Sequence, residues 1–201
     1  WKKRTKSTNL PLPDRIFTSG QLGYNFMTRA GYPSKNIDIV GGIRFSDIYR
    51  FNENKVNKTE IRNRYGLPID KKIIFLPTSL FLGETIKMLD ALTYSIKNKI
   101  DEYFIIIKCH PASNSINFKT RINQFLSLRL ENNSFLLLTK SINNYEYIYL
   151  SDFPIFLGGS LAIEAIALNT KPIIFLPQSN FSHNPISDYL ELGSFAYDRN
   201  S

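Results

Sequence analysis

Two short stretches of the sequence carry side chains that could bind an anionic ligand. The first is the turn Gly158-Gly159-Ser160, which follows the apolar run Ile155 to Leu157 and precedes a segment rich in Ala and Leu. Glycines allow backbone angles and close approaches that a side chain would block. Ser160 falls in the first turn of the predicted helix, where free backbone N–H groups and the helix dipole attract anions. The turn is therefore a candidate phosphate site, although a tight chain reversal without a ligand would use the same residues.

Glu164 adds a second polar group to the same predicted helix. It lies four residues beyond Ser160, one turn along the same face. A carboxylate there could accept hydrogen bonds from the ribose hydroxyls of a nucleotide whose phosphate sits at the turn. Without such a role, the carboxylate would lie on an apolar helix of a buried layer, which is costly unless the charge is paired. The spacing matches neither the dinucleotide-binding fingerprint nor a P-loop.

The second stretch is Lys108-Cys109-His110-Pro111, which closes an apolar run. Pro111 fixes the exit of the chain and biases His110 towards an extended conformation. An imidazole held there could donate a hydrogen bond to a phosphate oxygen or, as a cation, neutralise a leaving phosphate. The alternative is a histidine satisfied by backbone groups. A Cys109–His110 pair acting as a thiol nucleophile is not predicted, because neighbours on a strand point to opposite faces. Cys109 is expected in the core instead. No metal site is predicted, since His110 and His183 lack ligand spacing with any cysteine or carboxylate cluster.

Alternating strands and helices must position these motifs. Short apolar runs alternate with amphipathic segments from Lys72 onwards, which predicts right-handed βαβ crossovers and an α/β, doubly wound parallel sheet of the Rossmann-like kind. The predicted strands are Lys72 to Leu76, Tyr103 to Lys108, Phe135 to Leu138, Ile155 to Leu157, Ile173 to Leu176 and Phe195 to Tyr197. The predicted helices are Gly83 to Asn98, Phe118 to Leu130, Asn144 to Leu150 and Leu161 to Leu168.

Ligands of such sheets bind beyond the carboxyl ends of the strands, near the switch in strand order. The residues to inspect are therefore the polar ones just past each predicted strand. They are Thr78, Ser79, His110, Thr139, Ser160 and Gln178. We expect this set to share one edge of the sheet.

The beginning of the chain predicts a smaller unit that precedes the alternating region. Its predicted elements are strands at 15–20 and 37–43 and a helix at 21–30. Residues 46–59 are rich in Asn and Lys with little periodicity, so they are the best linker candidate, and a short helix then runs to Gly66. We therefore predict a division into residues 1–58 and 59–201. The chain opens on Trp1, which suggests a fragment or a processed chain.

Composition predicts a globular protein with a basic surface. The 201 residues are 43% hydrophobic and carry a formal net charge of +8. This charge suits an acidic ligand or an anionic membrane face, and it also serves ordinary solubility. A nucleic-acid partner is not predicted, because no RNA-binding aromatic signature or Cys/His finger spacing is found. One cysteine and no apolar run near ~18 residues favour a cytoplasmic location, compatible with peripheral contact with the inner membrane face.

Taken together, the motifs resemble the nucleotide-binding half of GT-B-fold glycosyltransferases. A strand followed by His110-Pro111, then about fifty residues later a strand followed by Gly158-Gly159-Ser160 and a helix bearing Glu164, is most similar to bacterial sialyl- and polysialyltransferases and to capsule-linked Kdo transferases. These enzymes use CMP-activated sugars. The stretches from Thr18 to Tyr24 and from Gly31 to Phe45 resemble surface-polysaccharide transferases where the acceptor domain passes into the donor domain.

The resemblance implies an enzyme that moves a sugar from a nucleotide donor to a surface polysaccharide or a lipid-linked glycan, without a cofactor. A CMP-sugar is favoured and a UDP-sugar is the alternative. His110 would contact the donor phosphate and assist departure of the nucleotide, while Gly158, Gly159 and Ser160 would hold that phosphate and Glu164 the ribose. The other donor-binding candidates are Thr78, Ser79, Arg44, Lys108, Gln178 and His183. Residues 1–58 would then be the end of the acceptor-side domain with its linker, and residues 59–201 the nucleotide-sugar-binding domain.

The sequence departs from that family in its acidic residues. The transferases carry an acidic motif in the N-terminal domain that supplies the catalytic base, whereas Asp14, Asp38 and Asp47 here lack an acidic partner and a following glycine. The resemblance thus implies a base on chain beyond these residues. Two alternatives stay open. One is a UDP-sugar 2-epimerase, an isomerase that shares the fold and a related glycine-serine-glutamate turn, and the other is a non-catalytic module.

Overall fold

The computed structural model describes residues 13–42, 45–53, 57–113, 115–139, 143–177, 184, 186–187 and 189–198. The chain forms two compact units, Trp1–Arg50 and Phe51–Ser201. We describe each unit by itself. The acceptor-side and donor-side roles expected for the two parts of the chain stay predictions.

The first unit contains a small parallel sheet and one helix. Strand β1 is Ile16–Thr18, helix α1 is Gln21–Arg29 and strand β2 is Ile37–Ile39. The strands are parallel, with Ile16 opposite Ile37. The predicted strand at 37–43 is longer than the observed strand, which ends at Ile39. Just beyond this end, the Val40 N–H donates to the Thr18 carbonyl at 2.9 Å. Gly41 follows with φ of 77°, a conformation that turns the chain out of the strand.

The predicted linker contains a helix. Helix α2 spans Ser46–Glu53, and helix α3 spans Lys58–Arg64 after the cap residue Asn57. Ile48 is buried, and the Phe51 ring packs edge-on against the Tyr149 ring at 5.5 Å. These two apolar side chains, three positions apart, provide the helical spacing that the surrounding Asn and Lys residues obscured.

The second unit is built on a six-stranded parallel sheet with the order β5-β4-β3-β6-β7-β8. Its strands are β3 Lys72–Pro77, β4 Tyr103–Lys108, β5 Phe135–Leu138, β6 Phe153–Phe156, β7 Ile173–Phe175 and β8 Ser194–Ala196. Strand β6 begins at Phe153, two residues before its predicted start at Ile155. The strand includes Pro154, which is paired with Phe75 although proline has no N–H to donate to the ladder. The predicted α/β, doubly wound parallel sheet is confirmed.

Four helices connect these strands. They are α4 Leu82–Ser95, α5 Ile116–Ser127, α6 Asn144–Leu150 and α7 Ser160–Ala167. Helix α5 begins two residues before the prediction because Ser115 caps it, its hydroxyl accepting the Phe118 N–H at 3.2 Å. Helix α6 begins at its predicted residue, with Asn143 accepting the Tyr145 N–H at 3.0 Å.

Helices cover both faces of the sheet, as strand β3 shows. Ile74 and Leu76 belong to a buried cluster on one face, while Phe75 stacks on Tyr147 of α6 on the other face at 6.0 Å between ring centroids. Alternate side chains of a strand point to opposite faces, so both faces of β3 are buried. The helix residues of the buried cluster are Met88, Leu89 and Leu92 of α4 and Phe118, Ile122 and Leu126 of α5.

The strand order places a topological switch at β3. This strand pairs with β4 on one side and with β6 on the other. The chain winds outwards from β3 through β4 to β5, and then returns to the opposite side of β3 to form β6, β7 and β8. In an open α/β sheet, the ligand crevice lies beyond the carboxyl ends of the strands at this switch.

Candidate functional site

The glycine turn lies directly at the switch. Strand β6 ends at Phe156, and α7 begins at Ser160. Gly158 has φ of 111° and Gly159 has φ of 81°, and side-chain-bearing residues rarely adopt such angles. A Cβ placed on Gly159 would meet nothing within 4 Å, so the backbone conformation rather than crowding calls for glycine. As the N-cap residue, Gly159 also offers no side-chain oxygen to the first-turn N–H groups of α7.

His110 is held by hydrogen bonds on a short loop. The chain forms a 3₁₀ turn at Pro111–Ser113, and the Ala112 N–H donates to His110 Nδ1 at 3.2 Å. Because Nδ1 accepts, the proton of the neutral ring lies on Nε2. The His110 side chain is exposed. The ring thus has an N–H that can donate to an incoming oxygen atom.

Thr78 and Ser113 join the loops that follow β3 and β4. The Thr78 N–H donates to the Lys108 carbonyl at 2.8 Å, and its hydroxyl accepts the His110 N–H at 2.9 Å. The Ser113 hydroxyl lies 3.3 Å from the Ser79 carbonyl and from the His110 carbonyl, to which it can donate. Thr78 is only 5% exposed. Because its hydroxyl accepts the His110 N–H, its role in this structure is to orient the His110 loop. A direct contact of Thr78 with a donor stays a prediction.

Ser79 belongs to the start of α4. Its hydroxyl donates to the Glu84 carboxylate and accepts the Phe81 N–H at 3.1 Å. The Ser79 N–H donates to the Thr85 hydroxyl at 3.1 Å. These bonds hold the loop that follows β3 against the first turn of α4. The predicted donor contact of Ser79 stays a prediction.

Lys108 and Glu164 lie in the interior beneath this edge. Their exposed fractions are 8% and 2%. The Lys108 ammonium donates to the Asn144 amide oxygen at the start of α6. Burial lowers the pKa of Lys108, and the negative charge of Glu164 acts in the opposite direction. The two charges thus influence each other within the interior. Contacts of Glu164 with ribose and of Lys108 with a donor stay predictions.

Cys109 lies in the core, as predicted. It is a buried member of the cluster beneath α4 and α5, and burial raises the pKa of its thiol. It is therefore a packing residue. Arg44, Gln178 and His183 lie outside the described residues, so their predicted donor contacts stay predictions.

The three central strands bring the candidate residues to one edge. Strands β4, β3 and β6 are neighbours, so the carboxyl ends of β4 and β6 are two strand spacings apart, about 10 Å. His110 follows β4 and the glycine turn follows β6, on either side of the loop that contains Thr78. A ligand with an extended phosphate-containing group could contact both.

Sequence reasoning missed three residues that organise the site. Ser113 could have been found from its position three residues after His110, where turn geometry brings it back towards the histidine carbonyl. Asn144 and Thr85 had no such signal, because their contacts with Lys108 and Ser79 depend on the packing of separate elements.

Metal and membrane features can be assessed for the described part of the chain. No group of three or more His, Cys, Asp and Glu side chains there is arranged to hold a metal ion. Among the described helices, none combines the length and the apolar composition of a bilayer span. The predicted peripheral contact with a membrane stays a prediction.

Comparison with known proteins identifies the fold. No protein-family model and no curated protein matches the chain by sequence. A solved UDP-GlcNAc 2-epimerase from Neisseria meningitidis, bound to UDP-GlcNAc, matches it with a TM-score of 0.66 at 12% identity, covering 92% of this chain and 48% of that chain. A glycosyltransferase from Rickettsia africae ESF-5 matches with a TM-score of 0.63 at 14% identity, covering 99% of this chain and 53% of that chain.

The wall teichoic acid polymerase TagF is also similar, with a TM-score of 0.55 at 20% identity, covering 92% of this chain and 46% of that chain. The fold is of the GT-B class. Identities of 12–20% establish this shared fold and no shared activity. The chain spans about half the length of the structures that it matches.

Proposed function

We propose that this chain is the donor-binding half of a glycosyltransferase, which moves a sugar from a nucleotide donor to a surface polysaccharide or a glycolipid. The observation that carries the proposal is the glycine turn at the switch point. Gly158 and Gly159 have φ of 111° and 81°, and they open a helix whose first N–H groups have no side-chain cap. Backbone N–H groups at a helix start are suited to a phosphate.

The His110 imidazole is the second group that supports the proposal. Its Nδ1 accepts a backbone N–H, so its Nε2–H is the group that can donate to a phosphate oxygen. During transfer, an acceptor oxygen forms a bond to the sugar carbon while the bond between that carbon and the donor phosphate oxygen breaks, and negative charge develops on the phosphate oxygen. A donor fixed beforehand at this position stabilises the developing charge without reorganisation. The acceptor proton would go to a base on chain beyond these residues.

A titration of the 201-residue chain with CMP, CDP and UDP tests whether the site binds nucleotides. It also shows whether cytosine or uracil is the preferred nucleobase. Resemblance of the His-Pro and glycine-serine motifs to CMP-sugar transferases favours CMP, while the similar solved epimerase binds UDP-GlcNAc. We expect one of these nucleotides to bind, with CMP tightest. A chain that binds none of the three is a non-catalytic module, and the proposal then fails.

His110→Ala in the complete enzyme tests the mechanism. Loss of a well-placed donor to a developing charge typically costs about 10²–10³ in rate, and we expect that loss in kcat with a smaller change in nucleotide affinity. Asn123→Ala, at an exposed position on α5 away from the edge, is the matched control and should leave the rate unchanged. An unchanged rate in the His110 variant would remove the imidazole from the mechanism.

An epimerase is the second candidate, favoured by the similarity to UDP-GlcNAc 2-epimerase at a TM-score of 0.66. The two reactions differ in their need for an acceptor. Incubation of the complete enzyme with UDP-GlcNAc alone, followed by chromatography of the nucleotide sugars, separates them. Appearance of the 2-epimer without an acceptor would replace the transferase by an isomerase.

A further inference from the structure

An apolar cavity of about 210 Å³ lies in the second unit, between helix α4 and strands β6, β7 and β8. Met88, Ala91 and Leu92 line it from α4, and Ile155 and Phe175 line it from β6 and β7. Protein interiors seldom contain voids larger than a water molecule, because the walls of a void lose packing contacts. An apolar cavity of about 150 Å³ stays dry and is large enough to bind benzene. This space, which we call the α4 cavity, therefore suits an apolar ligand.

The α4 cavity is narrow and runs along the strands. Its far end is lined by Tyr103 and Phe153, the first residues of β4 and β6, whose rings meet edge-on at 6.0 Å. Its other end is lined by Asp198, which follows β8. Met88 and Ile155 are both less than a tenth exposed. A helix of a partner protein, about 10 Å wide, would not reach such buried walls, whereas an unbranched hydrocarbon chain is thin enough to enter.

The cavity opens at the edge of the sheet that carries the candidate site. A second cavity, of about 400 Å³, adjoins the first, because Ala91, Phe175 and Asp198 line both. This second cavity is also lined by Pro177, which lies just past the carboxyl end of β7. Strand β7 is the neighbour of β6, which precedes the glycine turn, and adjacent strands are about 5 Å apart. The head group of a bound lipid would therefore lie at the carboxyl edge, beside that turn.

Polar side chains of both charge signs surround this opening. Lys87, Asp90, Tyr197 and Asp198 line the second cavity, and Asp90 is paired with Arg129 at 3.2 Å. Together they offer hydrogen-bond donors and acceptors without one dominant charge. A neutral head group with many hydroxyls, such as a sugar, matches this opening better than a carboxylate does. The apolar interior and the polar opening together fit an amphiphile.

We propose that the α4 cavity binds the hydrocarbon chain of a lipid-linked acceptor, with the sugar head group at the opening beside the glycine turn. Binding of the chain follows from the cavity, while the identification of the lipid as the acceptor rests on the proposed function. The proposal narrows the acceptor to a glycolipid. It also gives the donor-binding half a role in holding the acceptor.

A series of alkyl chains tests the cavity directly. Hexyl, heptyl and octyl β-glucoside are titrated into the 201-residue chain by calorimetry, below the concentrations at which they form micelles. Each buried methylene should tighten binding about fourfold, and glucose should not bind. Affinity that does not rise with chain length overturns the proposal. Octanoate is titrated in parallel, and tighter binding of octanoate than of octyl glucoside would indicate a fatty-acid site and overturn the assignment to an acceptor.

Two variants fill the cavity from different positions. Ala91→Leu places a larger side chain in the α4 wall while keeping a good helix former, and it should weaken octyl glucoside binding about tenfold or more, the equivalent of two displaced methylenes. Ser95→Leu acts from an exposed position of the lining, where the hydroxyl donates only to the Ala91 carbonyl at 2.8 Å, so it keeps the test open if Ala91→Leu folds poorly. Asn123→Leu, at an exposed position of α5, is the control and should leave binding unchanged.

The remaining outcomes separate this proposal from the proposed function. Unchanged octyl glucoside affinity in both filling variants overturns the cavity as the binding site. Sedimentation velocity that shows a dimer, dissociated by octyl glucoside or by Ala91→Leu, would mean that a second copy occupies the cavity and would also overturn the proposal. A chain that binds CMP, CDP or UDP but no alkyl glucoside overturns this proposal and leaves the proposed function intact. A chain that binds alkyl glucosides but no nucleotide overturns the proposed function and, with it, the acceptor role of the lipid.

Discussion

The loop after β4 and the turn after β6 lie on either side of β3 and are held in different ways. The His110 loop is fixed by side-chain hydrogen bonds, with Thr78 accepting its N–H at 2.9 Å and Ser113 linking it to the loop after β3. The glycine turn takes its shape from the backbone angles of Gly158 and Gly159. The loss of a single bond should therefore cost the first loop less than the loss of a glycine costs the second, which depends on a residue type that readily adopts these angles.

The largest effect on folding stability is expected for Gly159→Ala. An alanine at φ of 81° is strained even though its Cβ meets nothing within 4 Å. We expect the free energy of unfolding to fall by about 1–3 kcal/mol. Nucleotide affinity should fall by about 10–100-fold, since the first-turn N–H groups would move away from the anion. Urea denaturation and calorimetry measure the two effects.

Gly83→Ala is the matched control for that variant. Gly83 lies in helix α4, and a Cβ there also meets nothing within 4 Å. Alanine suits a helix better than glycine, so stability should be unchanged or raised by about 0.5 kcal/mol. Equal destabilisation by Ala at both positions would show that the backbone angle of Gly159 carries no special cost, and the contrast between the two loops would be lost.

Thr78→Val should have an intermediate effect. Valine keeps the shape of threonine but leaves the His110 N–H without its acceptor. We expect a loss of about 1 kcal/mol in unfolding free energy, at the lower end of the usual cost because water can reach the exposed His110. In the complete enzyme, kcat should fall about tenfold as the imidazole loses its position.

Thr78→Ser is the rescue variant, since it restores the hydroxyl. It should return most of the rate that Thr78→Val loses. If valine and serine at this position behave alike, the hydroxyl does not position His110, and the loop must be held by its remaining bonds.

The smallest effect is expected for Ser113→Ala. Its hydroxyl lies 3.3 Å from two carbonyl oxygens and can donate its one proton to only one of them at a time. Loss of this long bond should cost about 0.5 kcal/mol in unfolding free energy and leave nucleotide affinity unchanged. A thermal melt of the variant compared with the wild-type chain measures it. A cost as large as that of Thr78→Val would mean that the linkage between the two loops, rather than the Thr78 bond, holds His110.

The site was predictable from the sequence to different degrees in its two halves. The need for glycine at 158 and 159 followed from local chain reversal between a strand and a helix, and the positive φ values bear it out. The position of His110 beyond β4 followed equally from local pattern. The Thr78 bond to His110 joins residues 32 positions apart, and no local rule predicts which polar group past one strand will face the next.

The predicted linker is a segment where the local sequence pattern gave the wrong secondary structure. Residues 46–53 were expected to be irregular because Asn, Lys and charged residues hid the spacing of Ile48 and Phe51. They form helix α2, in which those two apolar side chains pack inward or against an aromatic ring. Helix formation at such a segment depends on tertiary packing of one narrow face more than on intrinsic propensity.

What the sequence by itself determined is the alternation of buried strands and helices, and with it the parallel sheet, because periodicity and burial are properties of neighbouring residues. Only the tertiary structure decided the strand order β5-β4-β3-β6-β7-β8 and thus that β3 separates His110 from the glycine turn. It also decided that Lys108 meets Asn144, and that the Thr78 hydroxyl meets the His110 N–H. These contacts join distant parts of the chain, and their energy depends on a buried environment that exists only once the strands and helices have packed.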